Sequence, residues 1–233
     1  TAIADNYEAV GNIPIESSQV AGSGVLANDE GDNIAVIAVE GNAMNVGVPV
    51  MTTAGGSLRM GSDGEFEYIP LTGFIGEDSF TYTIDNGFGA PSTATVTITI
   101  AEIIYFMDDQ ATAGGDGSLN SPFKTIAEHN AAMMPDSSFL FIKDNGFSYS
   151  GNLTLNYGET VIGEGSTGSL FGMTSLTNIV LPPLSLTVGY STTGLMTDWV
   201  HITSPSHGIT LDQNNTLTGL YIENTAGYGI IDS

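Results

Sequence analysis

The run "STATVTITI", residues 92–100, alternates hydroxyl and apolar side chains without a break. That alternation fits an extended chain. Successive side chains of a strand point to opposite faces, so Ala94, Val96, Ile98 and Ile100 share one face and Thr93, Thr95, Thr97 and Thr99 the other. β-Branched residues at nearly every position add to the preference for a strand. The stretch "DGEFEYIPLTGFIGEDSFTYTIDNG", residues 63–87, repeats the pattern. Phe66 and Tyr68, then Phe80, Tyr82 and Ile84, alternate with Glu67, Thr81, Thr83 and Asp85, while Pro70, Gly73 and Gly76 supply a turn. Its aromatic residues read as the inner face of a sheet and its acidic residues as outer corners. Upstream, "NIAVIAVEG", "GVPVMTT" and "GSLRM" are shorter strands separated by Gly, Asn and Pro. Residues 1–101 therefore predict one β-sandwich of the usual ~100-residue size.

Charge narrows the partners. Arg59, Lys124 and Lys143 face 26 acidic residues, and the net charge of −23 argues against nucleic acid and against an anionic membrane surface. A cation or a neutral surface suits such a chain. Without cysteine, neither disulfides nor thiolate metal sites hold the fold. The most apolar run, "ATVTITIAEIIYFM", is too short and too interrupted by Thr and Glu for insertion into a bilayer as a helix. This composition suits a bacterial protein outside the cell or on its surface, and the chain reads as a mature segment of a polypeptide with further domains.

The second half has another texture. A Gly/Asp-rich loop, "DDQATAGGDGSLN", leads into a helix predicted from Ser121 to about Met134, with Ser121 as N-cap and Pro122 in the first turn. Brief strands follow in "FLFIK", "LTL" and "TVIGEG". Later the chain repeats itself. "HGITL" at 207–211 returns as "YGIID" at 228–232, and "VHITS" at 200–204 returns as "LYIEN" at 220–224. Steps of this length with Asn/Gly corners predict a solenoid of about six coils whose neighbours share one core. The last residues fall inside a coil, so the natural protein is expected to continue.

Two resemblances sharpen these expectations. "VLANDEGDN", "GSLRMGSDGEFEYIPLTGFIGEDSFTYTIDNGFG" and "STATVTITI" resemble the bacterial cadherin-like, immunoglobulin-like repeats of surface adhesins and secreted polysaccharide-degrading proteins. That likeness implies a seven-stranded Greek-key sandwich, often calcium-binding, that serves as a spacer or adhesive module. "DGSLNSPFKTI", "FLFIKDNGFSYSG" and "LTLNYGETVIGEG" resemble the N-terminal part of right-handed parallel β-helix proteins of the pectate-lyase-like superfamily. The expected fold class is all-β: a Greek-key β-sandwich over 1–101, followed by the N-terminal coils of a right-handed parallel β-helix over 102–233.

Candidate chemistry starts with calcium, because hard oxygen ligands are what this composition supplies. Asn28, Asp29, Glu30 and Asp32 fall within one turn, and Glu77 with Asp78 marks another corner. Asn28, Asp29, Asp32, Glu77 and Asp78 are thus the expected ligands, with Asp5, Asp108 and Asp109 as further candidates; in the plainer reading these residues only close turns. Trp199, His201, His207, Tyr221 and Tyr228 form a candidate ligand face for a carbohydrate or a surface protein. His201 lies one repeat from Tyr221 and His207 one repeat from Tyr228, so each histidine is also expected as a surface ring stacked on its neighbour. No catalytic residue is assigned. The rival reading is a polysaccharide lyase or glycoside hydrolase whose catalytic coils lie beyond residue 233. Within the chain its carboxylate pair would be Asp212 with Asp232 or Asp198.

Overall fold

The computed structural model describes residues 1–19, 24–164 and 200–232. They form two compact units, Thr1–Glu102 and a second that begins at Ile103. Among the described residues the structure is all-β apart from one short α-helix and three 3-10 turns.

In the first unit the chain runs through β1 (Asp5–Gly11), β2 (Ile15–Glu16), β3 (Ala35–Val39), β4 (Val50–Met51), β5 (Ser57–Met60), β6 (Phe66–Ile69), β7 (Gly76–Asp85) and β8 (Ser92–Met107). β2, β6, β5 and β4 pair antiparallel as one sheet. β7 lies antiparallel between β3 and the Ser92–Ile100 part of β8, and β1 also pairs with β8. Strand identity follows the alternation. Phe80, Tyr82, Ile84, Val96, Ile98 and Ile100 from one sheet pack in one core with Leu58, Met60, Phe66 and Tyr68 from the other. Phe66 bridges the layers edge-on to Phe80 at 5.7 Å and to Tyr7 at 5.0 Å. Full burial of each large apolar side chain contributes about 1.5–3 kcal/mol. The opposite faces of β7 and β8 carry threonines in register, with the Thr83 and Thr93 hydroxyls 2.9 Å apart.

The second unit contains α1 (Ile126–Ala131), β9 (Phe139–Ile142), β10 (Ser148–Ser150), β11 (Leu153–Thr154), β12 (Thr160–Gly163), β13 (Val200–Thr203), β14 (Ile209–Leu211), β15 (Thr216–Thr218), β16 (Leu220–Glu223) and β17 (Ile230–Asp232). Among the described residues every strand pair here is parallel, in three ladders. Ile104–Met107 of β8 pairs with β9, then β12 and β15 follow; β10, β13 and β16 form the second ladder; β11, β14 and β17 form the third. Apolar residues stack in columns: Tyr105, Leu140, Val161 and Leu217 in the first, Tyr149, Ile202 and Ile222 in the second, Leu153, Ile209 and Ile230 in the third. Most of them join one core cluster. The repeat steps read from the sequence coincide with the observed register, in which His201 faces Tyr221 and Ile209 faces Ile230.

The helix starts later than its sequence signals predict. Phe123 N–H donates to Phe106 O and Phe123 O accepts from Asp108 N–H, which holds the residue extended and keeps Ser121 and Pro122 out of the helix. The N-cap is Thr125, whose hydroxyl accepts from Glu128 N–H while the Glu128 carboxylate accepts from Thr125 N–H, a reciprocal capping box. Ala132 leaves the helical region ahead of Pro135, which disfavours helix in the residue before it.

Candidate functional site

Tyr82 lies on the inward face of β7 with its side chain fully buried. A buried phenol needs a partner for its hydroxyl, and here the partners are in excess. Around Tyr82 Oη stand Ile3 O at 2.9 Å, Asp29 Oδ1 and Oδ2 at 3.0 and 3.1 Å, Asp5 Oδ2 at 3.1 Å and Val25 O at 3.2 Å. The hydroxyl holds one proton and can satisfy one of these five oxygens well.

Local structure explains the convergence. Gly24, with φ +68°, turns the chain into the 3-10 turn Val25–Ala27, and a Cβ at Gly24 would meet Gly64 O at 3.0 Å. That close approach lets Val25 N–H donate to Gly64 O at 3.0 Å, so the turn is fixed to the sheet. The first residues are tied alongside: Ile3 N–H donates to Asp29 Oδ1 at 2.6 Å, Asn28 Nδ2 to Ala4 O at 3.3 Å and Glu30 N–H to Thr1 O at 3.0 Å. Asp5 then enters β1 with its side chain turned inward.

The electrostatics match this crowding. Burial pushes the Asp5 carboxyl up to about 6, and the negative charge of Asp29 adds to the rise, against hydrogen bonds from Tyr82 and Asn28. Burial, with the charges of Asp5 and Asp29, also raises the Tyr82 phenol. In chelator-treated protein a stability consequence follows. The unfolded carboxyl titrates near ~3.9, so the stability contributed by Asp5 is complete below about pH 4 and is lost as pH rises through about 6. The first unit is expected to melt higher at about pH 5 than at about pH 7, and Asp5→Asn to flatten that difference. Superimposable pH profiles for the two proteins would overturn the assignment.

Of the expected calcium ligands, the structure brings Asn28 and Asp29 together and adds Asp5. Asp32 is exposed on the next turn and is not among the oxygens around Tyr82. The expected corner at Glu77 and Asp78 gives way to a strand: β7 already begins at Gly76, which sends Glu77 outward and Asp78 into the core. Both Asp78 oxygens are engaged there. Oδ2 accepts from the hydroxyls of Thr52 and Tyr68, and Oδ1 accepts from Ala54 and Ser79 N–H, each at 2.7 Å. Among the described residues no three His, Asp or Glu side chains converge as a metal cluster. The Tyr82 cluster offers hard donors of the kind calcium takes, but only two carboxylates beside the carbonyls of Ile3 and Val25. That set fits a weakly held cation. Sequence reasoning missed Tyr82 and the two carbonyls. The available signal was a tyrosine, not a phenylalanine, at an inward strand position.

Asp108 and Asp109 belong to the second unit, where Asn145 Nδ2 donates to both and Lys143 Nζ donates to Asp108 Oδ2 at 3.1 Å. Burial alone would raise the Asp108 carboxyl, yet these bonds and the one from Gln110 N–H hold it below the usual range.

Trp199 lies outside the described residues. The remaining face residues pair across one repeat: His201 and Tyr221 meet edge-on at 5.0 Å, and His207 and Tyr228 stack at 5.8 Å with an interplanar angle of 8°. His201 Nδ1 lies 2.9 Å from Glu223 Oε1, and His207 Nδ1 accepts from Tyr228 N–H at 3.0 Å. Asp232 faces Leu211 in register, so Asp212 lies one position off the column in which a pair with Asp232 was expected. Asp198 lies outside the described residues.

The family profile of the bacterial cadherin-like domain matches residues 1–102. The match ends where the first unit ends. No curated protein matches the chain. Among the described residues no helix is long and apolar enough to cross a membrane.

Proposed function

We propose that the chain works outside the cell or on its surface as part of a bacterial adhesion or spacer protein. In this reading a calcium-stiffened cadherin-like sandwich is joined to a right-handed parallel β-helix that presents a carbohydrate or protein ligand face. The cadherin-like match over residues 1–102 supports the adhesion or spacer role. Three parallel ladders with a shared core support the β-helix, and the near-universal right hand of parallel crossovers supports its handedness.

The observation that carries the calcium reading is the excess of oxygen around Tyr82 Oη. Asp5, Asp29 and the carbonyl oxygens of Ile3 and Val25 would hold the ion, whose chemistry is positive charge placed against converging lone pairs. Tyr82 anchors the cluster to β7, while Asn28 and Ile3 N–H hold the two segments in place. Mutual repulsion of Asp5 and Asp29 is then relieved, and residues 1–5 are locked to the 24–30 turn.

Calorimetric titration of chelator-stripped protein tests this. Saturable binding with a dissociation constant of about 0.1–1 mM is expected, the range of extracellular modules, together with a raised melting temperature. Asp29→Asn should weaken the affinity at least about tenfold, the scale of one lost charge-assisted contact. No heat of binding and an unchanged melt would leave a sandwich that spaces without calcium.

A further inference from the structure

The tetrapeptide Asp-Asn-Gly-Phe occurs twice, at residues 85–88 and 144–147. Both copies adopt the same turn. Gly87 N–H donates to Asp85 Oδ1 at 3.0 Å, Gly146 N–H donates to Asp144 Oδ1 at 2.8 Å, and the two glycines have φ of 79° and 77°. The central asparagines differ. Asn86 Oδ1 accepts from Phe88 N–H at 3.1 Å. Asn145 instead donates through Nδ2 to Asp108 Oδ1 at 2.8 Å and to Asp109 Oδ1 at 2.7 Å.

An asparagine followed by glycine is open to attack by the next backbone nitrogen on its side-chain carbonyl carbon, because no side chain shields that nitrogen. We propose that Asn86 is a site of self-catalysed deamidation and that Asn145, in the same tetrapeptide, is protected. Asp85 Oδ1 takes the Gly87 amide proton as the Gly87 N–Asn86 Cγ bond forms. The negative charge that develops on Asn86 Oδ1 meets the Phe88 N–H already aimed at it. The Cγ–Nδ2 bond then breaks, and the nitrogen leaves as ammonia carrying the transferred proton. Water opens the resulting five-membered imide at either carbonyl, giving aspartate or isoaspartate. Water is the only co-reactant.

At Asn145 the base is present in Asp144, but the side-chain amide is held by two carboxylates. Those bonds must break before Cγ can turn toward Gly146 N. While they last, they also increase electron donation from Nδ2 into the carbonyl and make Cγ a poorer electrophile. The consequence falls on the tip between β7 and β8, where Phe88 is 93% exposed. A carboxylate replaces a neutral amide there, and isoaspartate lengthens the backbone of the turn by one atom.

The test is to age the full chain at mildly alkaline pH and follow both sites by peptide mapping, mass spectrometry and isoaspartyl methylation. Conversion at residue 86 is expected to outrun that at 145 by at least about tenfold, the effect of one hydrogen bond to a charged acceptor. Asp85→Ala should slow residue 86, and Asp109→Ala should speed residue 145. In urea the two rates should converge, since the tetrapeptides are identical. Equal rates in the native protein, a faster residue 145, or a gap that survives in urea would each overturn the proposal. An unchanged rate in Asp85→Ala would overturn its self-catalysed character.

Discussion

Glu159→Ala is expected to destabilise the second unit by about 2–3 kcal/mol, the upper range for leaving buried hydrogen-bonding groups without their partner. Glu159 and His129 are 0% and 1% exposed, with His129 Nε2 2.8 Å from Glu159 Oε1. The other ring nitrogen, Nδ1, lies 3.2 Å from Asn130 Oδ1. Asn130 has a fixed orientation, because its Oδ1 accepts from Thr154 N–H and its Nδ2 donates to Asn152 O. Both ring nitrogens therefore face side-chain oxygens. The second carboxylate oxygen of Glu159 accepts from Asn156 N–H at 2.9 Å. Truncation takes away the partner of His129 Nε2 and of Asn156 N–H. The pair also ties α1 to the turn that leads into β12. The double variant His129→Leu with Glu159→Met is expected to lose less than the sum of the two single changes, since neither side chain then leaves the other's polar atom without a partner. Chemical denaturation with hydrogen exchange on the second unit measures this, and a loss below about 1 kcal/mol for Glu159→Ala would contradict it.

The matching prediction in the first unit concerns Asp78. Asp78→Ala is expected to cost about 3–5 kcal/mol, because Tyr68 and Thr52 hydroxyls and Ala54 N–H all lose their buried acceptor. Gly56 makes room for this brace: a Cβ there would lie 2.6 Å from the Tyr68 ring and 3.0 Å from Asp78 Oδ2. Burial opposes ionisation of Asp78, yet the four hydrogen bonds outweigh it and hold the carboxyl below its usual range. Its stabilisation is therefore complete above the unfolded carboxyl value near ~3.9 and is lost as pH falls below that. Acid unfolding of wild type and Asp78→Asn gives the check. The variant should be less stable at neutral pH and the two should converge in acid; parallel curves would show that the carboxylate charge is unimportant.

Much of this architecture was legible in the residues. Threonine alternation around Val96 and aromatic alternation around Tyr82 set which side of each strand faces the core, because the strand period leaves no other assignment. The repeated "HGITL" and "YGIID" carried the parallel register, since stacking requires like residues to meet one repeat apart. The helix start was misjudged at Ser121 because a long-range bridge between Phe123 and Met107 competes with local capping signals. The candidate site was half legible. Asn28 and Asp29 advertise oxygen in the sequence, but backbone carbonyls such as Ile3 and Val25 carry no residue-type signal. Asp78 looked like a corner because its neighbours are glycine and glutamate, whereas its real environment comes from Thr52 and Tyr68, distant in sequence.

The ladders of the second unit do not all advance equally. Val200 to Leu220 spans 20 residues, whereas Ile209 to Ile230 spans 21. The paired strands have equal lengths, so the surplus residue lies in the corner 224–229, which faces the shorter corner 204–208. Asn224 there adopts φ +50°, a conformation asparagine tolerates. A codon inserted at such a corner leaves every stacked column intact, while one inserted inside a strand turns each later side chain of that strand to the wrong face. Inheritance in a unit of this kind thus has two scales: growth by duplication of whole repeats, and drift by single residues confined to the corners.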